Sequence, residues 1–255
     1  MEFLPGGCRV FGPGDGEAVQ RGTWNCRTLI CRQRGARDIA ERVSEYAAGA
    51  SPVVLNPGAE EVLYVVSGRG TAHLGGFPYP LEPGVGFYVP PGTPYQVENP
   101  GAEKLLLVAV CCPEDEGRRV LDDPPEIPTP AGAAPPLRTV REQERPPIPV
   151  ADRHFKLLVT EDLGCRRVTQ FVGFIPPSKA PFHYHTYEEA IYILEGEGIV
   201  HVEGGSCPFG PGTSLYLPVG LRHCLENPGP RPVRLLGAFY PSGSPAVAYE
   251  TRPRS

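Results

Sequence analysis

Short apolar runs closed by glycine or proline dominate the chain. Val62-Leu63-Tyr64-Val65-Val66 runs into Ser67-Gly68-Arg69-Gly70, and Ala190-Ile191-Tyr192-Ile193-Leu194 runs into Glu195-Gly196-Glu197-Gly198. Segments of four to eight β-branched and aromatic residues between such breakers read as strands that meet at tight turns, where glycine supplies positive φ. Their repetition at close spacing predicts antiparallel barrels or sandwiches. One stretch departs from this pattern. Ala36 to Ala48 carries Ile39, Val43 and Tyr46 at helical spacing with Gly49 as a stop, which predicts a brief peripheral helix.

The strand pattern occurs twice. Residues 60–101 align with 188–229 without a gap at an offset of 128, and 17 of the 42 pairs are identical. Among them are Glu61/Glu189, Tyr64/Tyr192, Gly68/Gly196, Gly84/Gly212, Pro90/Pro218, Gly92/Gly220 and Asn99/Asn227. The chain is a duplicated module. Between the copies, residues 113–149 hold ten prolines. Such a stretch is excluded from the centre of a sheet and tends to extended geometry, so it reads as an interdomain linker; an ordered arm wrapping one barrel is the alternative. The expected division is therefore 1–112, a linker at 113–150, and 151–255.

Composition narrows the classes. Proline and glycine, 33 and 31 of 255 residues, fit many tight turns. A net charge of −5 leaves no electrostatic footprint for nucleic acid, and no apolar run has the length of a membrane span. The first residues lack the charged-then-apolar form of a signal peptide, so a cytoplasmic location is expected. Eight cysteines without CxxC spacing read as reduced thiols, with Cys26/Cys31 and Cys111/Cys112 as the alternative redox pairs. Unpaired barrel edges are compatible with a homodimer, although nothing specifies one.

The chemistry concentrates in the second copy. His183 and His185 stand at i and i+2; on a strand, both imidazoles project from one face about 7 Å apart. Glu189 follows at the mouth of the next strand, and His223 opens another after Pro218-Val219-Gly220. Three nitrogens and one carboxylate oxygen suit a divalent transition metal. His73, His154 and His201 have no such company and read as structural or surface residues.

These spacings resemble the cupin superfamily. The first motif is matched by His183-x-His185-x3-Glu189-x6-Gly196, and the second by Gly212-x5-Pro218-x-Gly220-x2-His223-x3-Asn227. The one departure is Pro177, where the family's leading glycine would stand. The resemblance implies an all-β bicupin: two tandem jelly-roll barrels, a Pro-rich linker and few short helices. It also implies one divalent metal per chain (Fe, Mn, Ni, Co or Zn) held by His183, His185, Glu189 and His223. The first copy is degenerate. At the same offset Leu55, Pro57 and Tyr95 replace the histidines and only Glu61 remains, which points to a packing or gating role, with a metal-free ligand pocket as the lesser alternative.

An open metal in an apolar pocket suits a small organic substrate. The leading expectation is a dioxygenase-like oxidoreductase. The alternatives are an oxygen-independent isomerase or decarboxylase and a metal-containing binding protein. Tyr187, Glu188, Gln170 and Arg222 are the candidate acid-base groups, with alternation placing Glu188 and Arg222 off the ligand face.

Overall fold

The computed structural model describes residues 1–114, 117–122 and 132–246. Its regular structure is strands with a few single-turn 3-10 segments, in two barrels as the duplicated pattern requires. Each barrel sets a large antiparallel sheet against a smaller one. In the second barrel, Thr169–Ile175, Val233–Tyr240, Glu188–Glu195 and Ser214–Leu217 lie side by side in the large sheet, and Gly205–Phe209, Gly198–Val202, His223–Asn227 and Ser178–Lys179 form the small one. No helix among the described residues is long and apolar enough to cross a membrane.

The two large sheets face each other, which explains why their central strands are apolar on both faces. In Glu188–Glu195 the residues Ala190 and Tyr192 join a core shared with Val62, Tyr64, Val108 and Val110 of the first barrel. The alternate residues Ile191 and Ile193 enter the second barrel's own interior. Leu63 and Val65 fill the first barrel's interior in the same way. A strand buried on both sides shows no polar alternation, so its period cannot be read from hydropathy alone.

This same double burial overturns the expected helix over Ala36–Ala48. Ala40–Tyr46 is a central strand, paired with Trp24–Ile30 on one side and Leu105–Cys112 on the other. Val43 packs toward the shared core, whereas Tyr46 faces the first barrel's interior. The apparent helical spacing of 39, 43 and 46 joins residues from two opposite faces of the strand.

The barrels exchange edge strands. Arg9–Phe11, within the 1–112 span, pairs with Ser214, Leu215 and Tyr216 of the second barrel. Thr139–Arg141, within the Pro-rich span, pairs with Val85, Gly86 and Phe87 of the first. That part of the 113–150 span is therefore the ordered arm rather than a free tether. Each exchanged strand covers an edge that would otherwise present unpaired amides.

Two glutamates join the barrels at related positions. Glu188, 1% exposed, accepts the backbone N–H groups of Arg37, Asp38 and Ile39 at 2.6–3.0 Å and the Tyr216 hydroxyl at 2.7 Å. Glu60 accepts the N–H groups of Arg166 and Arg167 and the hydroxyl of Tyr88. Each carboxylate satisfies turn amides of the opposite barrel, and this contact takes Glu188 away from the pocket.

A third acid at this seam is strained by its surroundings. Glu41 is 1% exposed and its Oε1 has no hydrogen-bond partner, so burial pushes its carboxyl up to about 7. Strand pairing makes Gln170 its counterpart in the second barrel, since Glu41 lies opposite Val110 and Gln170 opposite Ala238. The unfolded chain ionises near its ordinary 4.5 while the folded chain stays protonated to about 7, so stability falls across that window as pH rises. Glu41→Gln, which copies the counterpart, removes that loss. We expect a gain on the order of 3 kcal/mol, roughly 5–10 °C in Tm, at pH 8 and little change at pH 4.5. Calorimetry of both proteins at the two pH values checks it.

Candidate metal centre

The His183–His185 segment is not a regular strand. It is tied to the neighbouring strand at one point: His183 N–H donates to His223 C=O at 3.0 Å, and His223 N–H donates to His183 C=O at 2.9 Å. A further bond, Gly220 N–H to His185 C=O at 2.9 Å, fixes the second histidine against the turn before His223. Gly220 adopts φ 77°, a conformation glycine reaches without strain. The two motifs are thus stitched together by backbone bonds before any side chain acts.

The side chains then converge. Ring centroids lie 4.5 Å apart for His183 and His223 and 4.9 Å apart for His185 and His223. One donor atom from each of the three histidines falls within 4.8 Å of the others. Glu189 joins them through His185, its Oε2 3.6 Å from His185 Nε2. The structure therefore gathers the three histidines singled out by spacing and sets Glu189 against one of them.

Hydrogen bonds choose the tautomers. His183 Nδ1 lies 3.0 Å from the Pro181 carbonyl and His223 Nδ1 lies 2.9 Å from the Leu221 carbonyl. A carbonyl only accepts, so each Nδ1 carries its proton and Nε2 is the ring's acceptor nitrogen. Burial keeps the rings neutral. His185 is pushed down to about 2, by burial and then by His223 and His183, and His223 is pushed down to about 4, by burial and then by His183. His183 is lowered as well, chiefly by burial. In contrast, burial raises Glu189 to about 8. Three neutral imidazoles and one carboxyl that ionises when a cation is near are the donor set that a divalent transition metal takes. The residues present fit the metal implied by the sequence.

The surroundings form a small cavity of about 120 Å³ lined by Phe155, Phe171, Ile175, Ile191, Leu225 and Leu235. Tyr187 stacks on His185, with ring centroids 4.5 Å apart. Arg153, which spacing did not single out, is the one Lys or Arg among the described lining residues. It opens the strand Arg153–Leu157, which lies between Ile148–Val150 and Thr169–Ile175, shares parity with the inward-facing Phe155, and bonds Asp152 and Ser178 Oγ. His154 also reaches the rim, stacked on Phe174 at 4.4 Å. Neither residue carries a local motif that could have revealed it.

The other candidates go elsewhere. Gln170 is fully buried at the barrel seam, where its Oε1 lies 3.0 Å from the position of a Cβ added to Gly86. Arg222 pairs with Glu203 at the surface. His201 and its counterpart His73 pair with Glu226 and Glu98 in matching positions, a surface role in both barrels. All eight cysteines are buried and none is joined in a disulfide.

The first barrel requires a correction of register. Val54 pairs with Tyr95 as His183 does with His223, and Gly92 N–H bonds the Asn56 carbonyl as Gly220 N–H bonds that of His185. The counterparts of His183 and His185 are therefore Val54 and Asn56, not Leu55 and Pro57. A single extra residue between Asn56 and Glu61 accounts for the shift.

A family model described as "Cupin domain" matches residues 42–111 and 171–239, together more than half of the chain. Among curated proteins, an uncharacterized protein of Methanocaldococcus jannaschii is 37% identical over 65 residues, 25% of this chain and 52% of that one. A mannose-1-phosphate guanylyltransferase of Escherichia coli is 41% identical over 54 residues, 21% of this chain and 11% of that one. The chain thus spans about half the length of the first of these relatives and far less of the second. Among solved structures, a single-residue variant of oxalate decarboxylase from Bacillus subtilis superposes with a TM-score of 0.75 at 16% identity, covering 91% of this chain and 76% of that one. Another Bacillus subtilis oxalate decarboxylase structure, at pH 4.6, gives 0.74 at 16% identity, covering 91% and 75%. With two matched regions, two barrels and one intact motif pair, the chain belongs to the cupin family as a bicupin whose first motif is degenerate.

Proposed function

We propose that the second barrel is a metal-dependent catalytic centre that acts on a small carboxylate without consuming oxygen, most simply as a decarboxylase. His183, His185, Glu189 and His223 would hold the ion, which supplies Lewis-acid polarisation of a bound oxygen. The carrying observation is Arg153 on the wall of an otherwise apolar cavity that also contains the four donors. A guanidinium in dry surroundings favours a planar anion and fixes its orientation. The apolar walls exclude water from the bond that breaks and strengthen each charge interaction within. A cavity of about 120 Å³ admits a compact acid rather than a polymer.

At 16% identity the likeness to oxalate decarboxylases carries the fold alone, and Arg153 is what favours this reading over the dioxygenase-like one. The same dry walls favour the oxidoreductase as the second reading. One experiment separates them. Protein loaded in turn with Mn, Fe, Co, Ni and Zn is incubated with oxalate, malonate and pyruvate while CO2 release and oxygen uptake are followed together. The proposed reading expects CO2 without stoichiometric oxygen loss. It also expects Arg153→Ala to raise KM at least about tenfold while the metal stays bound. Oxygen uptake without CO2, or turnover indifferent to Arg153, would overturn it.

A further inference from the structure

The position of the metal centre is occupied in the first barrel by a different polar cluster. Asn56 and Glu61 stand in the places of His185 and Glu189, joined by a 2.6 Å bond from Asn56 Nδ2 to Glu61 Oε2. Tyr95 stands in the place of His223 and is 3% exposed. Two guanidiniums join them. Arg42 projects inward from the central strand, donates to Cys111 Sγ and interacts with Glu61. Arg118 lies with its guanidinium carbon 5.3 Å from the Trp24 ring centroid. The Cys26 thiol is within electrostatic reach of Arg118, Arg42 and Glu61, which places all three around one interior.

Four buried atoms of this cluster have no hydrogen-bond partner: the donors Trp24 Nε1 and Arg118 Nε, and the acceptors Asn56 Oδ1 and Glu61 Oε1. Trp24, Asn56 and Glu61 are each no more than 2% exposed. Unmet buried polar groups are rare in folded proteins, and four in one barrel interior call for a partner that the protein's own side chains do not supply. Two guanidiniums against one carboxylate disfavour a cation and leave a positive balance for an anion. The unmet donors suit a carboxylate, and the unmet acceptors suit a hydroxyl beside it.

We infer that the first barrel binds a small 2-hydroxycarboxylate without a metal, its carboxylate accepting from Arg118 and Trp24 Nε1 and its hydroxyl donating to Asn56 Oδ1 beside Glu61. The degenerate motif is then a converted site rather than a lost one. It is independent of the second barrel's chemistry.

Trp24 is the chain's single tryptophan, so its fluorescence reports on this barrel alone. The metal-free His223→Ala protein is titrated with glycolate, lactate, acetate and acetamide at millimolar concentrations. Glycolate and lactate are expected to give a saturable change, acetate a weaker one and acetamide none. Arg118→Gln should weaken the hydroxyacids at least about tenfold. Asn56→Leu, checked for native circular dichroism, should abolish the preference for glycolate over acetate. No saturable response to any acid would mean that solvent alone serves these groups and would overturn the inference. A response shared with acetamide, or one unchanged in both variants, would overturn it equally.

Discussion

His185→Ala and His223→Ala will each lose most of the bound metal, while Tyr95→Ala and Glu61→Ala will keep it. Purified wild-type protein is expected to carry one equivalent per chain by elemental analysis. The three histidine nitrogens and the Glu189 carboxylate would act as one chelating set, so removing a single nitrogen would cost both a bond and the preorganisation of the rest. The first barrel has no imidazole among the counterparts, with Val54, Asn56 and Tyr95 standing there. Acidification should strip the metal in two stages. Glu189 is raised to about 8, so loading at pH 7 displaces about one proton and affinity falls about tenfold per unit as pH drops below that value. The imidazoles compete later than free histidine would, since His223 and His185 protonate only near about 4 and about 2. Two equivalents of metal, or loss on changing Tyr95, would refute the assignment to the second barrel.

Glu188→Ala will destabilise the whole molecule rather than the pocket. The substitution leaves three backbone N–H groups of residues 37–39 and the Tyr216 hydroxyl without an acceptor inside the barrel seam. Each such loss costs about 1–3 kcal/mol, and because the groups share one acceptor the total should be about 4 kcal/mol, or some 10 °C in Tm. Glu188→Gln keeps the volume and one acceptor oxygen and should recover part of it. Because the shared core includes Tyr64 and Val108 with Ala190 and Tyr192, both barrels should unfold in one transition. Two separated transitions, or a loss below about 1 kcal/mol, would show that the seam does not couple them.

The duplication and the β class were legible in the chain alone, as was the choice of His183, His185 and His223, which the fold gathers within 4.8 Å, and of Glu189 beside them. Each rests on a local signal: a repeat without gaps, glycine at turns, and donor atoms whose spacing is set by the motifs. Alternation also placed Glu188 and Arg222 off the ligand face, because it is a property of the strand backbone. What depended on the partner barrel emerged only with the packed fold. Ala40–Tyr46 is a strand because two sheets bury both of its faces, which no single-segment pattern distinguishes from a helix of similar composition. Arg9–Phe11 and Thr139–Arg141 find their partners across the seam, and such pairing leaves no mark in either segment. Asn56 replaced Pro57 as the counterpart of His185 only when backbone bonds fixed the register past a one-residue insertion. Arg153 and Arg118 lie in or beside short segments at the margins of the sheets, whose side chains acquire a direction only once the chain has closed around them.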